Sequence, residues 1–420
     1  MSFQQGLSGL NASSKNLQVI GNNIANANTF GSKVSRAEFS DVYAASLGVG
    51  GHSNIGIGTN LAAVAQQFTQ GNLKTTENPI DLAINGAGFF QVTDGKSPTT
   101  FTRNGQFKLD REGYIVNNTQ QRLMGYPVSD SGEIQPGVAS ALQLPTGAVA
   151  PKQTAEIKLE ANLSSRKAVT APAVAPLINF NNPDTYNNAT TLTLYDVKGQ
   201  EVALTFYFQK SADDAWNIFA TANGTSVGGT NAAPTAISPL VFAANGSGAT
   251  TPAGPVLLDI PATTNAAGGT TLAIDDISFN LSRLTQFGSP FGVTDLKQDG
   301  YSAGLLNSVT VENNGVITAR YSNGQSRPAG QIELSVFRNP QGLQPIGDNG
   351  WARTYASGDP VNGVPGDGNL GILQSGALEE SNIDLTGELV NMITAQRIYQ
   401  ANAQTIKTQD QILQTLVNLR

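Results

Sequence analysis

The sequence predicts a mainly β protein with α-helical termini, in which discontinuous, nested β domains stand on a coiled-coil-like base of paired terminal helices. Apolar residues alternate with polar ones through the middle of the 420-residue chain, whereas at both ends they recur at heptad spacing. The 45 glycines and 20 prolines favour turn-rich β structure over helical bundles. A chain of this length is expected to divide into about two to three domains.

The first 30 residues carry an apolar stripe at helical spacing. Its members are Phe3, Leu7, Leu10, Leu17 and Ile24. The other faces consist of Ser, Asn, Gln and Gly, and Lys15 is the one charged side chain before Lys33. The glycines at 6, 9 and 21 each disfavour a helix by about 1 kcal/mol. We therefore expect a helix that is poorly ordered alone and folds when another surface covers it.

Residues 384–419 show the same pattern over a longer helix, with Asp384 or Thr386 as its N-cap. The stripe consists of Leu385, Leu389, Met392, Tyr399, Ile406, Leu413 and Val417. An apolar stripe more commonly marks an internal core helix. Here both stripes lie at the ends of the chain and have few charges on any face, so we expect the helices to pair and to pack against identical neighbours. Such a contact gives a helical filament if it does not close.

The middle of the chain reads as antiparallel β structure. Hairpin turns are predicted at Asn104-Gly105, Asn314-Gly315, Asn323-Gly324 and residues 196–199. The composition shifts at residues 145–180, which are rich in Pro and Ala, and again at 221–270, which are rich in Ala, Gly, Thr and Asn. The stretch between these shifts resembles a separate β domain inserted into a first one.

Composition excludes several classes of function. The net charge is −7 and no basic stripe exists, so we expect no nucleic-acid partner. The chain has no cysteine and one histidine, His52, which leaves no disulfide, no thiolate metal site and no two-histidine metal site. No apolar run reaches membrane-spanning length, so no membrane insertion is expected, and the N-terminus lacks the features of a cleaved signal peptide.

The motifs that could indicate catalysis have simpler interpretations. Residues 366–371 match G-x-G-x-x-G but follow a proline, and no strand-helix-strand unit surrounds them, so a glycine-rich loop is the better interpretation. Adjacent acids are interpreted as solvated turn residues, and His52 as an exposed loop residue. The adjacent acids are Asp213-Asp214, Asp275-Asp276 and Glu379-Glu380. We therefore predict no enzyme activity, no catalytic residues, no cofactor and no metal site.

Several segments resemble conserved motifs of the flagellar rod and hook family. They are NNIANANTFG at 22–31, NPIDLAINGAGFF at 78–90, FTRNGQF at 101–107, QSGALEESNIDL at 374–385 and ELVNMITAQRIYQ at 388–400. The motif residues that we single out are Asn22, Asn23, Asn26, Thr29, Gly31, Asn78, Pro79, Asp81, Gly86, Gly88 and Phe89. The inserted domain makes the chain more similar to hook members than to the shorter rod members. Ser32 departs from the pattern, because many relatives carry a bulky apolar residue there.

The resemblance implies a subunit of a curved, flexible tube that joins motor to filament as a universal joint and encloses an export channel. It implies a terminal helical polymerisation domain (1–30 and 372–420), a linker (31–70), a first β domain (71–146 and 284–371) and an outer β domain (147–283). The implied partners are copies of the chain, flagellar rod proteins, a hook cap, a hook-length control protein and hook–filament junction proteins. It also implies passage through the type III export apparatus to an extracellular position on the flagellum.

Two other hypotheses stay open at this point. The chain could be a distal rod subunit of the same family, which would make a rigid shaft and not a joint. It could also be a secreted β-rich protein that binds or hydrolyses carbohydrate.

Overall fold

A computed structural model describes residues 2–42, 56, 58–129, 132–172 and 177–418. These residues divide into two compact units, of which the first comprises 1–146, 307–320 and 326–420, and the second 147–306 and 321–325. The expected fold class, mainly β with paired terminal helices, is confirmed. His52 and most of the glycine-rich stretch around it lie outside the described residues.

The first unit contains both terminal helices, α1 (Ser2–Ala25) and α2 (Leu385–Asn418). Asp384 caps α2, because its side chain accepts a hydrogen bond from the Thr386 amide at 3.0 Å. Neither helix in the described part of the chain has the length and apolarity to span a membrane.

Short antiparallel strands make up the rest of the first unit. Before the second unit these are β1 (Ser35–Val42), β2 (Gly58–Gln66), β3 (Leu73–Thr75), β4 (Leu82–Asn85), β5 (Phe89–Thr93), β6 (Thr100–Thr102), β7 (Lys108–Leu109), β8 (Ile115–Val116), β9 (Arg122–Tyr126) and β10 (Ser140–Ala141). The second unit contains β11 (Glu156–Asn162), β12 (Asn188–Tyr195), β13 (Glu201–Ala212), β14 (Ala215–Ala222), β15 (Thr225–Ser226), β16 (Gly229–Thr230), β17 (Ala233–Pro234), β18 (Ser238–Phe242), β19 (Ala249–Thr251), β20 (Val256–Ile260), β21 (Ile274–Thr285) and β22 (Gly292–Gln298). After it come β23 (Leu306–Val311), β24 (Val316–Tyr321), β25 (Ser326–Ile332), β26 (Leu334–Val336), β27 (Gln344–Gly347), β28 (Gly350–Ala352), β29 (Val361–Gly363), β30 (Ile372–Ser375) and β31 (Ala377–Glu379).

The main sheet of the first unit follows the order β23-β24-β25-β9-β5-β6-β28-β27. An aromatic cluster lies at its centre, where the rings meet edge to face at centroid distances of 4.7–6.0 Å. Its members are Phe68, Phe89, Phe101, Phe337 and Trp351. This cluster gives the first unit a core of its own.

The second unit has two main sheets, ordered β20-β21-β11-β22 and β12-β13-β14-β18-β19, and a short pair of strands, β16-β17. Strand β11 pairs parallel with β21 and antiparallel with β22. Alternate residues of both sheets bury one continuous core, in which Phe206 stacks on Phe279 with ring centroids 4.5 Å apart. The second unit therefore also has a core of its own.

Several boundaries differ from those drawn on the sequence. Residue 283, the expected end of the outer domain, lies inside β21, and the second unit continues to residue 306 because β22 pairs with β11. Residues from 372 onward were assigned to the helical domain, but β30 pairs with β4 and β31 with β3, so β structure continues to Glu379.

The hairpin predicted at Asn104-Gly105 is wrong. Strand β6 pairs with β5 and β28, whereas β7 pairs with β8. The segment instead turns towards β4, where the Leu82 amide donates to the Gly105 carbonyl at 3.0 Å. The predicted turns at 196–199, Asn314-Gly315 and Asn323-Gly324 do connect neighbouring antiparallel strands.

Candidate assembly site

Helices α1 and α2 pack antiparallel. Gly6 lies against Ile406, Ser13 against Asn402, and Asn23 against Glu388, so the two helices run in opposite directions along the contact. The Asn23 amide nitrogen lies 3.2 Å from a Glu388 carboxylate oxygen at one end of the pair. The helices therefore form a single rod with both ends of the described chain in it.

Small residues on α1 bring the two helices close. A Cβ atom on Gly9 would lie 2.9–3.0 Å from the side-chain atoms of Asn402, and one on Gly6 would lie 3.1 Å from Ile406. Ser13 is buried on the same line and donates to the Gly9 carbonyl at 2.8 Å. Gly6, Gly9 and Ser13 thus form a notch in α1, and the side chains of Asn402 and Ile406 fill it.

The predicted apolar stripes are only partly used inside this pair. Met392 and Ile406 on α2 are half-buried, as are Leu10, Leu17 and Ile24 on α1. The remaining stripe residues are exposed: Phe3, Leu7, Leu385, Leu389, Tyr399, Leu413 and Val417. The pair therefore has a narrow internal seam and leaves most of its apolar side chains uncovered.

A buried ion triad fastens the helices to the β part of the first unit. One carboxylate oxygen of Glu379 lies 2.6 Å from Lys33 Nζ, and the other lies 3.1 Å from Arg103 Nη1. The side chains of Lys33 and Glu379 have no exposed surface, and that of Arg103 is 5% exposed. Burial lowers the pKa of Lys33 and of Arg103, and the Glu379 carboxylate opposes both shifts.

Backbone groups complete this arrangement. Lys33 donates to the Thr69 carbonyl at 2.7 Å, and the Gly71 amide donates to Glu379 at 2.9 Å. Arg103 donates to the Gly86 carbonyl at 2.9 Å and lies over the ring of Phe89. We call Lys33, Arg103 and Glu379, with these partners, the junction, because it joins the chain after α1, the first β strands and the strand before α2.

The motif residues at the end of α1 lie beside the junction. Asn23 is buried and exchanges two hydrogen bonds with the Ser35 backbone, at 2.8 and 3.0 Å. Asn26 and Thr29 form the turn after the helix, in which Asn26 also donates to the Asn22 carbonyl at 3.0 Å. Gly31 has φ +72°, and a Cβ there would lie 2.5 Å from the Asn104 amide, so this position requires glycine.

The second group of motif residues shapes the loop and strand that receive Arg103. Asn78 donates to Asp81 at 3.0 Å, and the Pro79 carbonyl accepts a hydrogen bond from Ser375 at 2.7 Å. Gly86 supplies the carbonyl that Arg103 contacts, while Gly88, at φ +130°, leads into Phe89. Of this second group, Gly86 and Phe89 contact Arg103 directly.

Sequence reasoning missed the charges of the junction. Glu379 was interpreted as one of two solvated acids, whereas the structure buries it and leaves only Glu380 exposed to solvent. Lys33 and Arg103 were not singled out. The partners lie 346 and 276 residues away from Glu379, so no local pattern could have paired them.

The glycine-rich motif assessed on the sequence ends beside strand β4, where the Gly371 amide donates to the Ala87 carbonyl at 2.7 Å. Residues 366–371 form a loop between β29 and β30, with no helix after it. Within the described ranges, acidic and histidine side chains do not gather in groups of three or more that could hold a metal ion.

Family models for flagellar proteins match four stretches of the sequence. They are the flagella basal body rod protein at 3–33, the flagellar hook protein FlgE/F/G D1 domain at 83–165, the flagellar basal body protein FlaE D2 domain at 162–301, and the flagellar basal body rod FlgEFG protein C-terminal at 374–419. The matches to the two ends coincide with the helices of the assembly site.

Full-length relatives decide the family. The chain is 41% identical to the flagellar hook protein FlgE of Salmonella typhimurium over 100% of both chains. The chain belongs to the flagellar hook protein FlgE family. It is also 39% identical to FlgE of Escherichia coli over 100% of both chains, and 31% identical to FlgE of Borreliella burgdorferi over 100% of this chain and 99% of that relative.

A solved FlgE-family structure has the same fold. The crystal structure of Helicobacter pylori flagellar hook protein FlgE2 aligns with a TM-score of 0.54, at 16% identity, over 73% of this chain and 100% of that one. Membership of the FlgE family makes the chain a structural component of the bacterial flagellar hook, and so of the motility apparatus.

Proposed function

We propose that this hook subunit assembles with copies of itself, through α1 and α2, into a curved and flexible tube. The observation that carries the proposal is the exposure of large apolar side chains on the helix pair. Leu389, Ile393 and Val417 are 46%, 52% and 74% exposed. Exposed apolar surface of this kind marks an interaction site on a folded protein.

The composition of the helices supports a close contact between copies. Lys15 is the one charged residue in α1, and α2 carries Glu388, Arg397, Lys407 and Asp410. Surfaces with few charges are buried at little desolvation cost, because charged groups must otherwise be paired when they leave water. Amide and hydroxyl side chains can exchange hydrogen bonds with a neighbouring copy.

We propose the following organisation of the tube. The terminal helices form the innermost layer around an export channel, the linker and first β unit lie outside it, and the second unit lies farthest out. Each unit has its own hydrophobic core, which fits domains that keep their shape while the tube bends. Bending would come from sliding between domains of neighbouring copies, and torque would pass from motor to filament through the tube. Cross-links between neighbouring outer domains should then stiffen the tube, and unchanged bending would contradict the sliding mechanism.

The remaining partners and the export route belong to the same proposal. The tube would start on the flagellar rod, grow under a hook cap, stop under a hook-length control protein and continue into hook–filament junction proteins. Export would occur unfolded through the type III apparatus. The role proposed is structural, and no enzyme activity forms part of it.

Negative-stain electron microscopy of the purified chain in concentrated sulfate tests the hook function. Curved tubes are the expected result. Straight rigid tubes would favour the distal rod alternative. If tubes never formed, and a glycan array or a hydrolase panel gave a signal, the secreted carbohydrate-binding or hydrolytic protein would replace the hook proposal.

A further inference from the structure

The exposed apolar side chains of α2 fall into two groups at opposite ends of the helix. The leading patch consists of Leu385, Leu389, Val390, Ile393, Ile398 and Tyr399. The trailing patch consists of Ile412, Leu413 and Val417. Among the side chains that the structure describes, residues 400–411 contribute no large exposed apolar group, so a polar middle separates the two patches.

Helix α1 covers neither patch. Its contacts with α2 run from Gly6, against Ile406, to Asn23, against Glu388, along the narrow seam. Charges are few in both patches: Glu388 and Arg397 lie within the span of the leading patch, whereas residues 389–396 and 411–418 contain no Asp, Glu, Lys or Arg. The trailing patch, and the stretch of the leading patch from 389 to 396, can therefore be buried without isolating a charge from water.

The two patches cannot meet within one chain. They lie on one continuous helix, and Leu385 and Leu413 are separated by four heptads, or about 42 Å at 1.5 Å per residue. Leu389 and Val417 have the same separation, so each pair occupies equivalent heptad positions. A second copy shifted by about this distance along the rod would place its leading patch beside the trailing patch of the first.

We propose that the trailing patch of one copy packs against the leading patch of the next copy along the tube. The inference rests on the proposed function and names the contact by which it is achieved. Because the two surfaces are different, the contact is head to tail and leaves an unpaired leading patch at one end of the assembly and an unpaired trailing patch at the other. Such a contact propagates as a filament and does not close into a dimer.

Cysteine cross-linking tests the contact directly, because the chain contains no cysteine of its own. Subunits carrying Leu385→Cys are mixed with subunits carrying Leu413→Cys, assembled in sulfate and treated with a short bis-maleimide. Heterodimers containing one of each variant are expected on a denaturing gel, at least about tenfold above the yield in unassembled protein. The chain carrying both substitutions should give a ladder of longer oligomers.

The control pairs Leu385→Cys with Gln404→Cys, which lies in the polar middle of α2. Tubes that cross-linked through this pair, and not through Leu385 and Leu413, would overturn the inference and leave assembly itself intact. Tubes in which Leu413→Cys cross-linked only to itself, and gave no mixed product with Leu385→Cys, would also overturn it. If the unsubstituted chain formed no tubes, the proposed function would fail, and this inference with it.

Introducing opposite charges at the two positions provides an independent test that needs no cross-linking reagent. Leu385→Lys and Leu413→Glu should each reduce the sedimenting fraction by at least about tenfold, because each would bury an unpaired charge. The double variant should recover most of the loss if the two positions meet in the tube. No recovery, with unchanged helix content in the monomer, would contradict the contact. Leu257→Glu, on the exposed face of β20, serves as the matched control.

Discussion

Two cations share the carboxylate of Glu379 at a place that water does not reach. The triad carries more positive than negative charge, and the carbonyls of Thr69 and Gly86 and the ring of Phe89 accept the excess. Such a triad stabilises the fold only while all three residues are present, because a buried charge without its partner destabilises the folded state by its desolvation free energy. The sequence shows that these three residues are charged, but it does not show that they pair, because they come together only when the first unit folds.

Glu379→Gln should lower the free energy of unfolding of the first unit by about 3–5 kcal/mol, because it leaves Lys33 and Arg103 buried without a counter-charge. Urea unfolding of the monomer, followed by circular dichroism, measures the change. The neighbouring Glu380→Gln is the matched control. Its carboxylate is 41% exposed and lies 3.9 Å from Lys74, so the change should stay within about 0.5 kcal/mol. Equal effects of the two substitutions would contradict the role of the triad.

Glu333 is a second buried acid, and its described partners are neutral. Gln91 donates to it at 3.1 Å and Tyr126 at 2.8 Å. Burial raises the pKa of Glu333 above its usual 4.5, while the Tyr126 hydroxyl opposes the shift. Burial, with the Glu333 carboxylate nearby, raises the pKa of Tyr126 to about 12.

The sign of the Glu333 shift predicts a pH dependence. The folded chain binds the Glu333 proton more tightly than the unfolded chain does. Protonated Glu333 therefore contributes its full stabilisation at pH values below the unfolded-state pKa, and this contribution is lost as the pH rises through the folded-state pKa. Glu333→Gln should remove that loss, so the difference in unfolding midpoint between the variant and the original chain should grow between acid and neutral pH. Urea unfolding at a series of pH values measures it. A difference that did not change with pH would contradict the assignment.

At the scale of elements, the two terminal helices depend on close approach at one line of small residues. In the sequence, Gly6 and Gly9 looked like defects in a helix, because each disfavours helix formation on its own. In the structure they admit Asn402 and Ile406. A Cβ built on Gly21, by contrast, has no neighbouring atom within 4 Å. Glycine therefore permits close helix packing at positions 6 and 9 but has no such role at position 21.

Gly9→Leu should therefore separate α1 from α2 and lower the helix content of the monomer, because the new side chain occupies the space of Asn402. Gly21→Leu meets open space in the monomer and should leave helix content equal or higher, since leucine favours a helix by roughly 1 kcal/mol over glycine. Circular dichroism at 222 nm compares them. A loss of helix in both variants, or in neither, would contradict the notch.

Elements with strong local signals were predictable from the sequence. The apolar stripes indicated both helices, and Asn314-Gly315 and Asn323-Gly324 indicated hairpins, because alternation and turn chemistry are local properties. Asn104-Gly105 carried the same turn signal and was misread, since the partners of its flanking strands, β5, β8 and β28, come from elsewhere in the chain. The seam between the helices was missed because glycine gives no apolar signal.

At the scale of the molecule, the chain leaves its first unit at residue 146 and re-enters it at 307. The core of the second unit is formed by residues from Ile157 to Leu284, with Leu296 packed against it. All residues of this core thus lie within a single continuous segment of the sequence. The composition shifts indicated an insertion, but they could not fix its end, because pairing of β22 with β11 decides it.

The fragment 147–306 should consequently fold alone and unfold cooperatively in urea. Phe206→Ala in this fragment should lower its free energy of unfolding by about 3–5 kcal/mol, because it removes a fully buried ring stacked on Phe279. Leu257→Ala is the matched control, with a side chain that is 66% exposed, and should change it by less than about 0.5 kcal/mol. A fragment without a cooperative transition would show that the second unit depends on the first.

Assembly through the terminal helices is the central claim, and a comparison of two chains in concentrated sulfate tests it most directly. Negative-stain electron microscopy is applied to the full-length chain and to a chain lacking 1–30 and 384–420, after circular dichroism has shown that the β units of the shortened chain are folded. We predict tubes from the full-length chain and single particles from the shortened one. Tubes of the same form from the shortened chain would contradict the claim, because the contacts that build the tube would then lie in the β units.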